Sequence, residues 1–103
     1  MSAAADPFAA LGDVNRRAII MELAGGERSV QEIANGMAIS RPAVSRHLRL
    51  LSEAGLVTAR PEGVRRLYRL EDAGAAQVRW FMEQVWGEAT ARFRLAVENT
   101  QPA

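Results

Sequence analysis

The chain has 103 residues, of which 49% are apolar and 24% charged, with no cysteine and a formal net charge of +1. That length supports one modest core rather than two independent domains, and the missing cysteines exclude disulfides, thiolate metal sites and thiol redox sensing. No apolar run reaches the roughly eighteen residues of a membrane span, and the N-terminal MSAAADPF lacks the charged and long apolar regions of a secretory signal, so a soluble, cytoplasmic protein without membrane contact is expected.

The near-neutral total hides an uneven distribution. Residues 40–70 carry Arg41, Arg46, Arg49, Arg60, Arg65, Arg66 and Arg69 against Glu53 and Glu62, a net of +5, whereas residues 1–39 and 71–103 are each net −2. A positive centre between mildly acidic flanks is expected where one part of a surface meets a phosphate backbone.

Residues 1–5 are small and read as a frayed end. Asp6 and Pro7 supply an N-cap and a first-turn proline for a short helix through Phe8, Ala9 and Leu11 that ends near Gly12. Asp13 caps a helix over 14–24 whose inward positions are Ala18, Ile19, Leu23, Ala24 and, in part, Met21; Gly25 and Gly26 stop it. Residues 29–37 fit a capping box, Ser29 with Glu32, and turn Val30, Ile33 and Ala34 inward.

After a turn at 37–39, Ser40 caps the next helix, with Pro42 in its first turn. Val44, Leu48 and Leu51 lie at i, i+4 and i+7 as a core stripe, while Arg41, Ser45 and Arg49 follow the opposite face. Gly55 stops this helix. Helix, short turn and a serine-capped helix with a polar outer stripe form the helix-turn-helix signature.

Beyond Gly55 the hydrophobic period changes. Strands are predicted over 56–61 and 64–70, joined through Glu62 and Gly63 as a β-hairpin in which Tyr68 and Leu70 anchor to the core. Arg60 and Arg69 read as edge charges that discourage sheet aggregation. The last predicted element is one long helix over 71–99 with Val78, Met82, Val85, Ala89, Phe93 and Ala96 down one side, weakened at Gly74 and Gly87. The expected fold class is mainly α with a small β-hairpin (α+β), in a single domain over 1–103.

The run SRPAVSRHL, its continuation LRLLSEAGLV and the hairpin segment EGVRRLYRL together resemble the winged helix-turn-helix of the ArsR family of bacterial repressors. The resemblance extends from about Asp6 to Phe93. FAALGDVNRRAIIMEL and the tryptophan-bearing last helix further resemble a cysteine-free, non-metal-sensing branch. The resemblance implies a helix-turn-helix over 29–55, a wing over 56–70 and dimerisation helices over 6–24 and 71–99. It assigns DNA reading to Ser40, Arg41, Pro42, Ala43, Ser45, Arg46 and Arg49, with Arg65 and Arg66 at the wing tip. The chemistry of these residues agrees. Arginine donates bidentately to guanine, serine bonds bases or phosphates, and a helix N-terminus attracts phosphate. Wing arginines enter a narrow minor groove or pair with phosphates.

The family's thiolate sensors place two cysteines at positions that here correspond to Ser29 and Gln31, and neither side chain replaces a thiolate. The last helix offers Glu83, Glu88 and Glu98 without a histidine, a set better read as solvated carboxylates than as a site for a soft metal. No metal or cofactor is expected. His47, the only histidine, lacks partners of the kind a metal or catalytic role needs.

The aromatic residues Trp80, Phe81, Trp86 and Phe93 suit a subunit contact or core better than a small-molecule pocket. The expected dimer interface is Phe8, Leu11, Val78, Met82, Val85, Ala89 and Phe93. No acid–base pair, activated nucleophile or glycine-rich phosphate loop suggests an enzyme. The expected partners are double-stranded DNA and a second copy of the chain. A small-molecule effector of unknown identity stays open, as does the alternative of a winged-helix protein-interaction module without specific DNA binding.

Overall fold

The computed structural model describes residues 6–87 and 95–98. Asp6 accepts a hydrogen bond from the Phe8 N–H at 2.9 Å and starts α1 (Pro7–Ala10), where proline has no N–H to lose. Asp13 accepts from the N–H groups of Asn15 and Arg16 at 2.8 and 3.1 Å and starts α2 (Val14–Leu23). Ile19 and Leu23 of α2 are buried. Met21, expected to turn partly inward, is 75% exposed, and Ala24 is exposed at the C-cap. The inward face of α2 is therefore narrower than its run of apolar residues suggests.

A short strand unexpected from sequence follows, β1 (Arg28–Ser29). Ser29 then caps α3 (Val30–Asn35), and the predicted capping box is present: the Ser29 hydroxyl accepts from the Glu32 N–H while the Glu32 carboxylate accepts from the Ser29 N–H. Ser40 caps α4 (Arg41–Glu53), and Val44, Leu48 and Leu51 are fully buried as a stripe. The wing consists of β2 (Val57–Glu62) and β3 (Arg65–Leu70), paired from Val57↔Leu70 to Glu62↔Arg65. Its loop is Gly63–Val64, one residue later than expected, because Gly63 supplies the positive φ of 62° at the first loop position.

The sheet is three-stranded and antiparallel, in the order β1-β3-β2, with Arg28 opposite Tyr68 and Ser29 opposite Leu67. This third strand corrects the two-stranded hairpin and one of its two predicted anchors. With β3 central, Leu67 is buried opposite Ser29, whereas Leu70 at the strand end is exposed; Tyr68 does pack against the core, as expected. The core joins Ile19, Leu23, Ile33, Val44, Leu48, Leu51, Leu56 and Val57. Burying each such side chain contributes about 1.5–3 kcal/mol.

α4 ends in a Schellman turn: the Leu56 N–H donates to Leu51 O at 3.0 Å and the Gly55 N–H to Ser52 O at 3.1 Å, with Gly55 at φ 73°. The final helix, α5 (Asp72–Met82), is capped by Glu71 and docks on that corner through Gly74, whose N–H donates to Gly55 O at 2.8 Å. A side chain at Gly74 would run into the Ala54 carbonyl oxygen. Gly74, which in sequence reads only as a weakening of the helix, is a backbone-to-backbone packing point.

The single long helix expected over 71–99 is not uniform. It is α-helical to Met82, and Glu83–Gly87 form a π-helical turn. In a regular α-helix residues five apart lie about 140° apart around the axis. The wider turn brings Trp86 beneath Phe81, with ring centroids 6.2 Å apart and edge to face. Phe81 also meets Phe8 of α1, centroid to centroid at 5.1 Å. The change of pitch shifts the phase of the stripe expected through Val78, Met82 and Val85.

Candidate nucleic-acid interface

Ser40 fixes the start of α4: its hydroxyl accepts from the Ala43 N–H at 3.2 Å, and Pro42 occupies the first turn. With Val44, Leu48 and Leu51 held at zero exposure, Arg41, Ser45, Arg46 and Arg49 are turned to solvent. Pro42 is exposed and Ala43 half-buried. All seven sequence-predicted residues of this helix thus sit on its cap, first turn or outer surface.

The arginines differ in how they are engaged. Arg41 Nη1 lies 3.4 Å from Gln31 Oε1, linking the two helices of the motif across their turn. Arg60 makes a bidentate contact with Glu27, both distances 3.0 Å, which ties the wing to the segment before β1. That edge arginine therefore has a structural partner. Arg65 lies 3.2 Å from Glu62 across the wing turn and 3.6 Å from Glu32 on α3. The side chains of Arg46, Arg49, Arg66 and Arg69 form no ion pair or hydrogen bond among the described residues. Of the two predicted wing-tip arginines, Arg65 is compensated by carboxylates and Arg66 is not.

His47 is half-buried beneath this face, its Nδ1 3.4 Å from Arg16 Nη1, while Arg16 Nε donates to Ala10 O at 2.7 Å. The Arg16 backbone N–H is the main cause holding the Asp13 carboxyl below its ordinary value, with the Asn15 N–H and the charges of His47 and Arg16 adding to it. Among the described residues no group of three or more histidine, aspartate or glutamate side chains is placed to hold a metal ion. Ser29 and Gln31 serve instead as a helix cap and a partner for Arg41.

Carboxyl groups that brace the wing make its stability depend on acid. The Arg60 side chain lowers the pKa of Glu27, and the Ser29 backbone N–H lowers that of Glu32, from the ordinary 4.5. Both groups bind protons less readily folded than unfolded. Their contribution is complete above about pH 4.5 and is lost as pH falls through the depressed folded values. A Glu27→Gln/Glu32→Gln variant is expected to match the wild type at acid pH and to melt slightly lower at pH 7, a small difference because both sites are solvent-screened, so that its plot of melting temperature against pH has a flatter acid limb. An unaltered acid limb would show that other carboxyls control it.

The predicted dimer face is divided. Phe8, Met82 and Val85 are exposed, Leu11 and Val78 half-buried, and Ala89 and Phe93 lie outside the described residues. Trp80 is 66% exposed, and with Phe8, Ala76, Gln77 and Phe81 it lines an apolar hollow of about 420 Å³. No helix among the described residues is long and apolar enough to cross a membrane.

Four features escaped sequence reasoning: β1, the Glu27–Arg60 contact, the bracing of Arg65, and two further hydroxyls, Ser52 and Tyr68, beside Arg49 and Arg66. Only Ser52 carried a readable signal, since it extends the Ser45 and Arg49 spacing by three residues.

Comparison with known proteins agrees with this geometry. The family described as bacterial regulatory protein, arsR family, matches residues 13–59. The chain is 41% identical over 90 residues to the HTH-type transcriptional regulator Rv2034 of Mycobacterium tuberculosis, covering 87% of this chain and 84% of that protein. It is 36% identical over 78 residues to the HTH-type transcriptional repressor SmtB of the same species, covering 76% of this chain and 58% of that longer protein. Among solved structures, the homodimeric winged helix-turn-helix DNA-binding domain Mb0332 from Mycobacterium bovis superimposes with a TM-score of 0.65 at 33% identity, covering 85% of this chain and 82% of that one. On its sequence and its winged helix-turn-helix architecture, this cysteine-free chain belongs to the arsR family of bacterial regulatory proteins.

Proposed function

We propose that the chain is a homodimeric, sequence-specific DNA-binding regulator in the cytoplasm that represses transcription by occupying an inverted-repeat operator. One observation carries the reading: among the described residues the side chains of Arg46 and Arg49 stand unpaired on the outer face of α4 while Val44, Leu48 and Leu51 lock the inner face into the core. Free guanidinium groups on a rigid helix are suited to base edges and phosphates in a major groove. The transcriptional roles in the names of Rv2034 and SmtB, and the homodimer reported for the Mycobacterium bovis domain, support it.

In the dimer, the exposed aromatic and aliphatic surface of α1 and α5, including Phe8, Trp80, Met82 and Val85, meets its copy about a two-fold axis. The two α4 helices then enter successive major grooves about 34 Å apart. Ser29 and Gln31 in place of cysteines make the protein a regulator that does not sense soft metals, and its chemistry is binding rather than catalysis. If release needs a signal, the effector is of another kind.

The test is binding of the purified protein to its own upstream DNA and to scrambled DNA of equal length across a salt series. Tighter binding to the upstream fragment with a steep salt dependence is the expected result. Equal and feeble binding to both, together with capture of a protein partner through the aromatic face, would instead establish the protein-interaction module.

A further inference from the structure

The polar stripe of α4 does not end at Arg49. Ser45, Arg49 and Ser52 follow at i, i+4 and i+7 and line one wall of a cleft of about 670 Å³ between α4 and the wing. The opposite wall is β3, where Arg66 and Tyr68 alternate along the strand and so share one face. Among the described residues none of these five side chains has an ion-pair or hydrogen-bond partner. The floor is apolar, with Val30, Val57 and Ala59. Two guanidinium groups and the hydroxyls of Ser45, Ser52 and Tyr68 thus share one space, which Thr58 also lines, with no carboxylate among the lining residues.

The contrast with the neighbouring arginines is informative. On the other face of the hairpin, Arg60 and Arg65 are compensated by Glu27, Glu62 and Glu32. Among the described residues Arg69, on that same face, has no ion pair, but it stands near the Glu27 carboxylate, whereas Arg66 on the face toward α4 has no carboxylate lining its cleft. Ser45, Arg49, Ser52 and Arg66 are all exposed, so the cleft is open to solvent. An open cleft of this volume fits a phosphodiester with its flanking sugars better than it encloses a small free anion.

We infer that the cleft between α4 and β3 seats one phosphate of the DNA backbone, gripped by Arg49 and Arg66 and hydrogen-bonded by the hydroxyls of Ser45, Ser52 and Tyr68. This deepens the DNA-binding reading and rests on it: the cleft sets how far α4 enters the groove, and the residues that read sequence lie elsewhere on the helix. Ser52 and Tyr68 thereby join the interface, and of the two arginines at the wing turn Arg66, not Arg65, supplies the main phosphate contact.

The experiment measures affinity for the upstream fragment and for scrambled DNA across a salt series, with Arg66→Gln, Arg65→Gln and Ser52→Ala/Tyr68→Phe beside the wild type. The phenylalanine keeps the ring against the core, and circular dichroism checks each fold. Arg66→Gln is expected to reduce the salt slope by about 1 on both sequences, and Arg65→Gln by much less. The double variant is expected to lose several-fold in affinity on both sequences with the slope unchanged, because it removes hydrogen bonds but no charge. Inorganic phosphate at matched ionic strength is expected to compete no better than chloride, which separates a backbone seat from a free-anion site. Equal slopes for the two arginine variants, unchanged affinity in the double variant, or strong competition by phosphate would each overturn the assignment while leaving DNA binding intact. A wild type that binds no duplex would overturn the DNA reading and the cleft with it.

Discussion

Gly74→Ala is expected to destabilise the fold more than any surface change of comparable size. The added methyl group meets backbone on the far side: the Ala54 carbonyl oxygen directly, and the Gly55 carbonyl carbon and oxygen at 3.0 Å. Backbone cannot rotate away as a side-chain tip can, so α5 must lift from the end of α4. That would also weaken the 2.8 Å hydrogen bond from the Gly74 N–H to Gly55 O. Overpacking of this kind costs about 1–3 kcal/mol, which outweighs the gain of up to about 1 kcal/mol from alanine's better helix propensity. At about 4–8 °C per kcal/mol for a domain of this size, the melting temperature should fall measurably. Because α5 carries much of the proposed subunit surface, the same variant should dissociate at higher protein concentration than the wild type in sedimentation experiments. An unchanged melting temperature would mean that α5 docks less closely than the backbone contact indicates.

Arg46→Ala is the second large effect, and it falls on binding rather than on stability. Arg46 is exposed and unpaired among the described residues, so its removal leaves no orphaned partner in the free protein. If its guanidinium reads a base, affinity for the specific fragment should fall by about 1–3 kcal/mol and preference should relax at one operator position. A matched set of single-base variants of the upstream fragment measures this directly. An equal loss on specific and scrambled DNA would make Arg46 a phosphate contact. The two results would also separate the roles along α4, with base reading at Arg46 and backbone seating at Arg49.

Much of this architecture is legible from short-range chemistry. Asp6, Asp13, Ser29 and Ser40 each cap the helix expected of them, because a cap is a bond between residues two or three apart. The Val44, Leu48 and Leu51 stripe is legible for the same reason, since its period is that of one helix. The alternating apolar runs also predict the paired strands β2 and β3, with the loop one residue later and one anchor at Leu67 in place of Leu70. The two-residue β1 is too brief to show any period, and its pairing partner lies some forty residues further on. Without β1, nothing in the sequence marks Leu67 rather than Leu70 as the buried position.

The sequence by itself determined where the helices start, which face of α4 is buried, and that arginine crowds the opposite face. Those properties depend on neighbours within a turn or two. Only the tertiary structure decided which arginines are free to meet DNA. Glu27 and Glu32 are far from Arg60 and Arg65 in the chain, yet they stand against them once β1 has joined β3. The cleft between α4 and the wing and the docking of Gly74 on Gly55 are decided in the same way. Charge compensation and close backbone approach depend on distances across the fold, and the identities of the residues alone do not contain those distances.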